Sequence, residues 1–452
     1  MRLVPDAVRG LTARFLPMGA ALLSALIFGS YVMGLARDRV FARTFGAGTE
    51  LDAYNAAFVL PELLLDVLVE AGLAAPFIPI LLQLRAGTEP AAGDRFARTV
   101  LTGAVTIMGI AAALMFVFAD ATTSFIAPGF SGEQRELYVS LFRVMLVTPV
   151  LFAASLTLGQ ILLAEQRFFW YGIAPLLYNG GIILGTLVFS DLGIFGPAIG
   201  AVIGAVVHLG SRFIGLRGSQ FRIRFGWESR TPPVREFVRL MLPKMASHPV
   251  EPMTFLFFTA VASSLATGSV TAVSFARNFQ SVPVSLVGIA FALAVFPALS
   301  TAYATGDRRG FLQIVVTNLA SITLVTLASA IGLVVLGELT IRVLLGGGAF
   351  DSADVALTAS VLAAFAISVP FESLSHLLSR AIYATRHTIL QVLASLAGLG
   401  VTVAATLLLV DGMGIIAVGL GFAVGQAAKT VLLALALLIR IRTLDRVATS
   451  GR

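Results

Sequence analysis

The chain has 452 residues, of which 58% are hydrophobic and only 12% charged, with a mean hydropathy of +0.94 and a formal net charge of +7. That much apolar side chain excludes an ordinary water-soluble domain. With no cysteine, the sequence also excludes disulfides, thiol nucleophiles and thiolate metal sites. The four histidines, His208, His248, His376 and His387, are scattered without metal-ligand spacing.

Runs of about twenty apolar residues recur along the whole length, as spanning helices require. They are too long and continuous for the alternating pattern of a transmembrane barrel. Twelve spans are predicted, at 13–36, 51–84, 97–119, 137–164, 168–190, 193–216, 235–263, 269–303, 310–336, 353–383, 387–410 and 413–440. The first is read as a retained span rather than a cleaved signal, because no small-residue cleavage site precedes its apolar run.

Arginine placement sets an expected topology. With the N-terminus inside, the inner segments collect Arg2, Arg9, Arg14, Arg85, Arg95, Arg98, Arg167, Arg217, Arg222, Arg224, Arg230, Arg235, Arg308, Arg309, Arg386, Arg440, Arg442, Arg446 and Arg452. This asymmetry is the positive-inside pattern. It predicts an even number of spans with both termini cytoplasmic, and it accounts for the basic charge without nucleic acid.

One cluster breaks the rule. Arg37, Arg39 and Arg43 fall on the outer side, between the first two spans, with Gly34, Gly46 and Gly48 around them and Asp38 and Asp52 nearby. Arginine offers bidentate contacts to phosphate oxygens. Arg37 is therefore read as a ligand residue, with Asp38 and Asp52 spacing the cations and the glycines ending the helix. Contact of Arg39 and Arg43 with phospholipid head groups is the plainer alternative.

The longest polar stretch, 217–234, carries Arg222, Arg224, Trp227, Glu228, Arg230 and Pro232-Pro233 and reads as an inside linker. It separates an N-terminal lobe, 1–216, from a C-terminal lobe, 235–452. The halves resemble each other. Gly48 to Pro61 and Pro79 parallels Gly268 to Pro283 and Pro297. Gly93-Asp94-Arg95 parallels Gly306-Asp307-Arg308, and Pro149 parallels Pro370. Six-span repeats of equal orientation predict two parallel lobes related by an axis along the membrane normal.

Ionisable groups inside spans are functional candidates by default. Asp66 and Glu70 lie four apart on the second span. Asn179 lies on the fifth. Lys244, His248 and Glu251 surround a proline-rich break in the seventh. Arg277 and Asn278 lie on the eighth, and Glu372, His376 and Arg380 on the tenth. Each has a plainer reading as an ion pair, a snorkelling side chain or a packing group. No paired acidic motif and no nucleophile with its base is present, so no catalytic residue, metal or cofactor is expected.

Several of these stretches resemble the MurJ (MviN)-type lipid II flippase family. They are Gly34-Leu35-Ala36-Arg37-Asp38, Phe45-Gly46-Ala47-Gly48, Asp52-Ala53-Tyr54, Leu60-Pro61 and Pro76-Phe77-Ile78-Pro79-Ile80-Leu81. Ala127-Pro128-Gly129-Phe130, Pro175-Leu176-Leu177-Tyr178-Asn179 and Gly268-Ser269-Val270 with Arg277, Pro283 and Pro297 extend the likeness over nearly the whole chain. The resemblance implies an all-α polytopic protein of the MOP type, with two six-helix lobes forming a V around a central cavity. It also implies a polyprenyl-diphosphate-linked glycan lipid as substrate, moved across the bacterial cytoplasmic (inner) membrane, with membrane lipids and cell-wall synthesis proteins as further partners. Arg37, Asp38, Asp52, Arg277, Asn278 and Lys244 are the expected substrate residues. Asp66, Glu70, Asn179, His248 and Glu251 are the expected cavity or coupling residues, with the membrane potential or a monovalent cation as the coupling source. Two departures stand out: Tyr31 and Leu65-Asp66 occupy positions where the family usually has arginine. A carrier of another polyprenyl-linked glycan or small molecule, or a non-transporting scaffold on the same fold, is the alternative.

Overall fold

The computed structural model describes residues 18–73, 76–89, 91–247, 250–385 and 387–450, without the side chains of 18, 20, 70, 71, 243, 244, 246, 247 and 442–450. The described residues form helices joined by short turns and contain no strand. In a bilayer this is one of the two ways to satisfy every backbone N–H and C=O.

The first unit contains α1 (Met18–Phe45), most of α2 (Thr49–Leu65), then α3 (Phe77–Ala86), α4 (Ala91–Val117), α5 (Ala119–Ile126), α6 (Gly132–Met145), α7 (Val147–Ala164), α8 (Phe168–Val188), α9 (Phe195–Gly215) and α10 (Pro232–Ser247). The second contains most of α11 (Val250–Ser263), then α12 (Ser269–Pro283), α13 (Ala290–Ala304), α14 (Arg308–Leu344), α15 (Ser352–Ala366), α16 (Val369–Ala384), α17 (Thr388–Met413) and α18 (Ile416–Ser450). By contact the units are 1–45 with 53–253, and 46–52 with 254–452. The division therefore falls inside the seventh predicted span, not at the 217–234 stretch. The reason is packing: Phe237 of α10 joins Phe77 and Phe96 in an aromatic cluster of the first unit, with ring centroids 6.4 and 5.7 Å away.

Every predicted span contains helix. Nine are long and apolar enough to cross a membrane singly, and α15 with α16, bent by 41°, makes a tenth. The protein is thus a multi-pass membrane protein. The other two predicted spans, 51–84 and 235–263, hold shorter helices, α2 with α3 and α10 with α11. Beyond Pro61, which has no N–H to donate to the preceding turn, α2 passes into a π turn at Asp66–Glu70 and returns to α geometry at Ala71–Leu73. The internal repeat reproduces this device, since α12 ends at Pro283 and passes into a π turn at Val284–Ile289. Single π turns within helices are uncommon and concentrate at functional sites.

α1 corrects one expectation. It runs unbroken through the arginine cluster, with Gly34 in its interior, and ends only at Gly46, which has φ +66°. A side chain at Gly46 would be strained by that φ and would also press on the Ala349 carbonyl oxygen, 2.6 Å from an added Cβ.

Small residues set the closest approach in the first unit. On α8 and α9, Gly181 and Gly185 face Gly200 and Gly204, and a Cβ on Gly200 would lie 2.7 Å from the Gly181 carbonyl oxygen and 2.9 Å from the Gly185 Cα. Such small-xxx-small faces let backbones touch where lipid supplies no hydrophobic drive. Gly200→Val is expected to destabilise the first unit by about 1–3 kcal/mol through overpacking, whereas Gly34→Ala, with nothing within 4 Å of its Cβ, should not lower stability and should favour the helix by about 0.5–1 kcal/mol. Thermal unfolding of the two purified variants in detergent checks this, and equal melting points would contradict it.

Candidate functional site

Three of the expected residues meet in the first unit. Arg37 on α1 donates from Nε and Nη2 to Asp38 Oδ1, at 3.1 and 2.8 Å, and from Nη1 to Asn179 Oδ1 at 3.2 Å. Asn179 in turn donates to the Pro175 carbonyl at 3.1 Å. A guanidinium carries five N–H donors, so two remain for a ligand. The Arg37 side chain is 27% exposed and Asp38 is buried. Asp38 holds the fork in one orientation and cancels much of its charge. The site is a directed hydrogen-bond donor more than a strong cation.

Two aromatic residues complete this corner. The Arg37 guanidinium lies 6.0 Å from the centre of the Phe41 ring, and Tyr54 packs edge-on to Phe41 at 5.1 Å. Tyr54 is 2% exposed and its hydroxyl has no hydrogen-bond partner among the described residues. A buried hydroxyl left unpaired costs about 1–3 kcal/mol, a cost usually seen where a ligand or ordered water completes the site. Tyr54 also interacts electrostatically with Arg37 and Tyr178. Only its place in the Asp52-Ala53-Tyr54 motif marked it in the sequence.

Asn179 depends on a support that sequence reading missed. Pro175 lies inside α8 and cannot donate to the Tyr171 carbonyl. Arg212 of α9 replaces that donor: its Nη1 reaches the Tyr171 and Trp170 carbonyl oxygens at 2.9 and 2.6 Å. Its Nε donates to Ser155 Oγ at 3.3 Å, and Ser155 bonds His208 Nδ1 at 2.7 Å. The signal was available in a proline within an apolar helix and in the His208–Arg212 spacing, which puts both on one face of α9.

The second unit holds a separate polar cluster. Arg277 of α12 makes a bidentate pair with Glu372 of α16, Nη1 to Oε2 at 2.9 Å and Nη2 to Oε1 at 2.7 Å, and also bonds Gln280. Gln280 Nε2 donates to Glu372 Oε2 at 2.8 Å and to Ser368 Oγ at 3.0 Å. The guanidinium lies against the Phe255 and Phe422 rings, 5.3 and 4.9 Å from their centres. Arg277 was expected to face the substrate. It is instead committed to a carboxylate, because a buried cation needs a counter-ion. Asn278, the next residue on the helix, is exposed.

Asp52 also differs from expectation. It does not space the arginines. Residues 46–52, the turn after α1 and the start of α2, belong to the second unit, where Asp52 is 2% exposed. Its carboxylate accepts from Gly268 N, Thr271 N and Thr271 Oγ1, each at 2.7 Å. These are donors at the start of α12, so Asp52 acts as a cap supplied from 216 residues away. In the same turn Ala47 N donates to Asp354 Oδ2 at 3.0 Å. Asp52→Ala is expected to cost about 1–2 kcal/mol and to speed amide hydrogen exchange at Gly268 and Thr271. Unchanged exchange at both amides would rule the cap out.

The remaining expected residues are dispersed. Asp66 opens the π turn and is half-buried, so it and Glu70 bound a π turn and not an α-helical face. Glu251 opens α11 and is exposed. His248 lies outside the described residues, and so do the side chains of Glu70 and Lys244. Among the described residues no group of three His, Asp or Glu could hold a metal ion.

The sequence pattern that defines the family "Lipid II flippase MurJ" matches residues 41–448, about nine-tenths of the chain. The chain belongs to the MurJ lipid II flippase family. Among MurJ relatives, the probable lipid II flippase MurJ of Thermotoga maritima is 29% identical over 408 residues, covering 90% of this chain and 82% of that protein. The one from Rickettsia prowazekii is 25% identical over 404 residues, covering 88% and 79%. A solved structure of lipid II flippase MurJ in an inward closed conformation superposes with a TM-score of 0.81 at 24% identity, covering 94% of this chain and 90% of that one. A multidrug resistance MATE transporter of the MOP superfamily, in an inward-facing conformation, gives 0.78 at 17% identity, covering 98% and 99%. The MOP-type fold expected from sequence is therefore shown, with MurJ as the family within it.

Proposed function

We propose that this protein is a carrier that moves lipid II, the polyprenyl-diphosphate-linked peptidoglycan precursor, across the bacterial cytoplasmic membrane by alternating access. The observation that carries the reading is Arg37: a partly exposed guanidinium inside a spanning helix, held by Asp38 and Asn179, with two donors to spare. Beside it stands the Tyr54 hydroxyl, which has no hydrogen-bond partner among the described residues. Phosphate oxygens are the acceptors such donors suit. The polyprenyl tail remains in lipid, so the protein transfers only the polar head and forms no covalent bond. The positive-inside pattern supports cytoplasmic termini. Because Asp38 cancels much of the Arg37 charge, a bound diphosphate would carry net negative charge, and moving it would couple to the membrane potential at about 2.3 kcal/mol per charge per 100 mV.

Expression in cells depleted of their own lipid II flippase tests the proposal. Restored growth and restored appearance of lipid II in the outer leaflet are expected. Failure of both, with the protein present in the membrane, would overturn the substrate assignment. One observation favours a second reading, a carrier for another polyprenyl-linked glycan: the residues at the two positions where arginine was expected, Tyr31 and Leu65, are uncharged. Rescue of a glycan-export defect in place of the lipid II defect would select it.

A further inference from the structure

The stretch between α9 and α10 is not a slack tether. Arg98 Nε of α4 donates to the Arg222 carbonyl at 3.0 Å, Gly226 N donates to Thr102 Oγ1 at 3.0 Å, and Glu228 N donates to Thr99 Oγ1 at 3.1 Å. Arg95 adds an ion pair to Glu228 at 3.5 Å. The segment 221–228 is thereby held against the first turns of a membrane-spanning helix. Phe221 is buried and anchors one end. Trp227 lies over Gly103 of α4, with 3.5 Å between its ring and a Cβ built there.

The strap turns an unusual surface outward. Phe225 is 76% exposed and Trp227 61%. Arg222, Arg224 and Arg230 are all exposed, and none of the three guanidinium groups makes a hydrogen bond or ion pair among the described residues. The acidic neighbour, Glu228, is already paired with Arg95. Depth follows from α4. At 1.5 Å per residue its 27 residues span about 40 Å, more than the ~30 Å hydrocarbon core. Arg95 and Arg98 mark the end that emerges. Thr99 to Gly103, where the strap is fixed, therefore lie at the boundary between head groups and hydrocarbon. Indole rings favour that boundary, and free guanidinium groups beside it attract anionic phosphates.

We infer that residues 221–230 form a binding site for anionic phospholipid head groups, in which Arg222, Arg224 and Arg230 contact the lipid phosphates while Phe225 and Trp227 enter the acyl boundary. The site lies apart from the Arg37 corner and does not depend on what the protein transports. Trp227 is also a built-in reporter, because the chain has only two tryptophans.

The test uses the full chain carrying W170F, reconstituted in phosphatidylcholine vesicles. A small fraction of brominated phosphatidylglycerol, or the same fraction of brominated phosphatidylcholine, serves as the quencher. Quenching of Trp227 is expected to report enrichment of the anionic lipid, falling about fivefold for each arginine changed to glutamine. R222Q/R224Q/R230Q should abolish the preference while leaving helix content intact. High salt should weaken it in the unchanged strap, a second measurement that needs no variant. Equal quenching by the two lipids, a preference that survives the triple substitution or high salt, or a Trp227 that neither lipid quenches would each overturn the assignment.

Discussion

Arg37→Ala is expected to abolish rescue of flippase-depleted cells while the protein still reaches the membrane. The substitution removes the two unused N–H donors and also takes from Asp38 and Asn179 the guanidinium that each of them bonds. Asp38 is 5% exposed, and removing the partner of a buried charge typically costs about 3–5 kcal/mol. A loss of activity alone would therefore be ambiguous. Arg37→Lys resolves it. The ammonium keeps the charge that Asp38 requires but lacks the planar fork that binds Asp38 on one edge, Asn179 on another and a ligand besides. It should restore membrane levels and thermal stability while transport stays at least about tenfold below the unsubstituted protein, the equivalent of one hydrogen bond to a charged group. Full rescue by either variant would remove Arg37 from the head-group site.

The second large effect is expected at the Arg277–Glu372 pair. Glu372→Ala leaves the Arg277 guanidinium, 8% exposed in its side chain, without its bidentate partner, and should destabilise the second unit by about 3–5 kcal/mol. Changing both partners, Arg277→Met with Glu372→Leu, should recover most of that loss, because apolar residues of similar volume often replace a buried pair at little cost. Thermal unfolding gives the stability arm and rescue of depleted cells the functional arm. A double variant that is stable but inactive would mean that the pair serves transport beyond holding α12 to α16. One that is stable and active would make the pair purely architectural. Glu372→Ala melting with the unsubstituted protein would contradict the dependence of Arg277 on this carboxylate.

The spans were legible because their signal is local: about twenty apolar residues suffice to identify one, and no distant partner is consulted. The repeat was legible for the same reason, through Pro61 and Pro283 and through Pro149 and Pro370. Arg37, Asp38 and Asn179 could be singled out as costly residues inside spans, yet their union could not, since Arg37 and Asn179 are 142 positions apart. Asp52 was misassigned for the same reason. Its nearest charges along the chain are arginines, but its partners are backbone amides at Gly268 and Thr271. Arg277 was flagged as a cation for the substrate because nothing local announces Glu372. Arg212 escaped notice although it repairs a carbonyl that Pro175 predictably orphans. Position and polarity are written along the chain, whereas partnership is written in the packing.

The two π turns have a consequence for chain length. Each carries one residue more than α-helical geometry would need over the same stretch, and each follows the matching proline of its repeat. Removing a single residue from 66–70 or from 284–289 would let the helix close into regular α geometry. Everything beyond would keep nearly its phase and height, because the widened turn already absorbs the extra residue. In the second half Leu299 and Ala302 would stay on the buried face that α13 presents to its own unit. A one-residue difference in length at either point is therefore absorbed locally, so relatives lacking that residue can keep the same packing beyond it while losing only the widened turn.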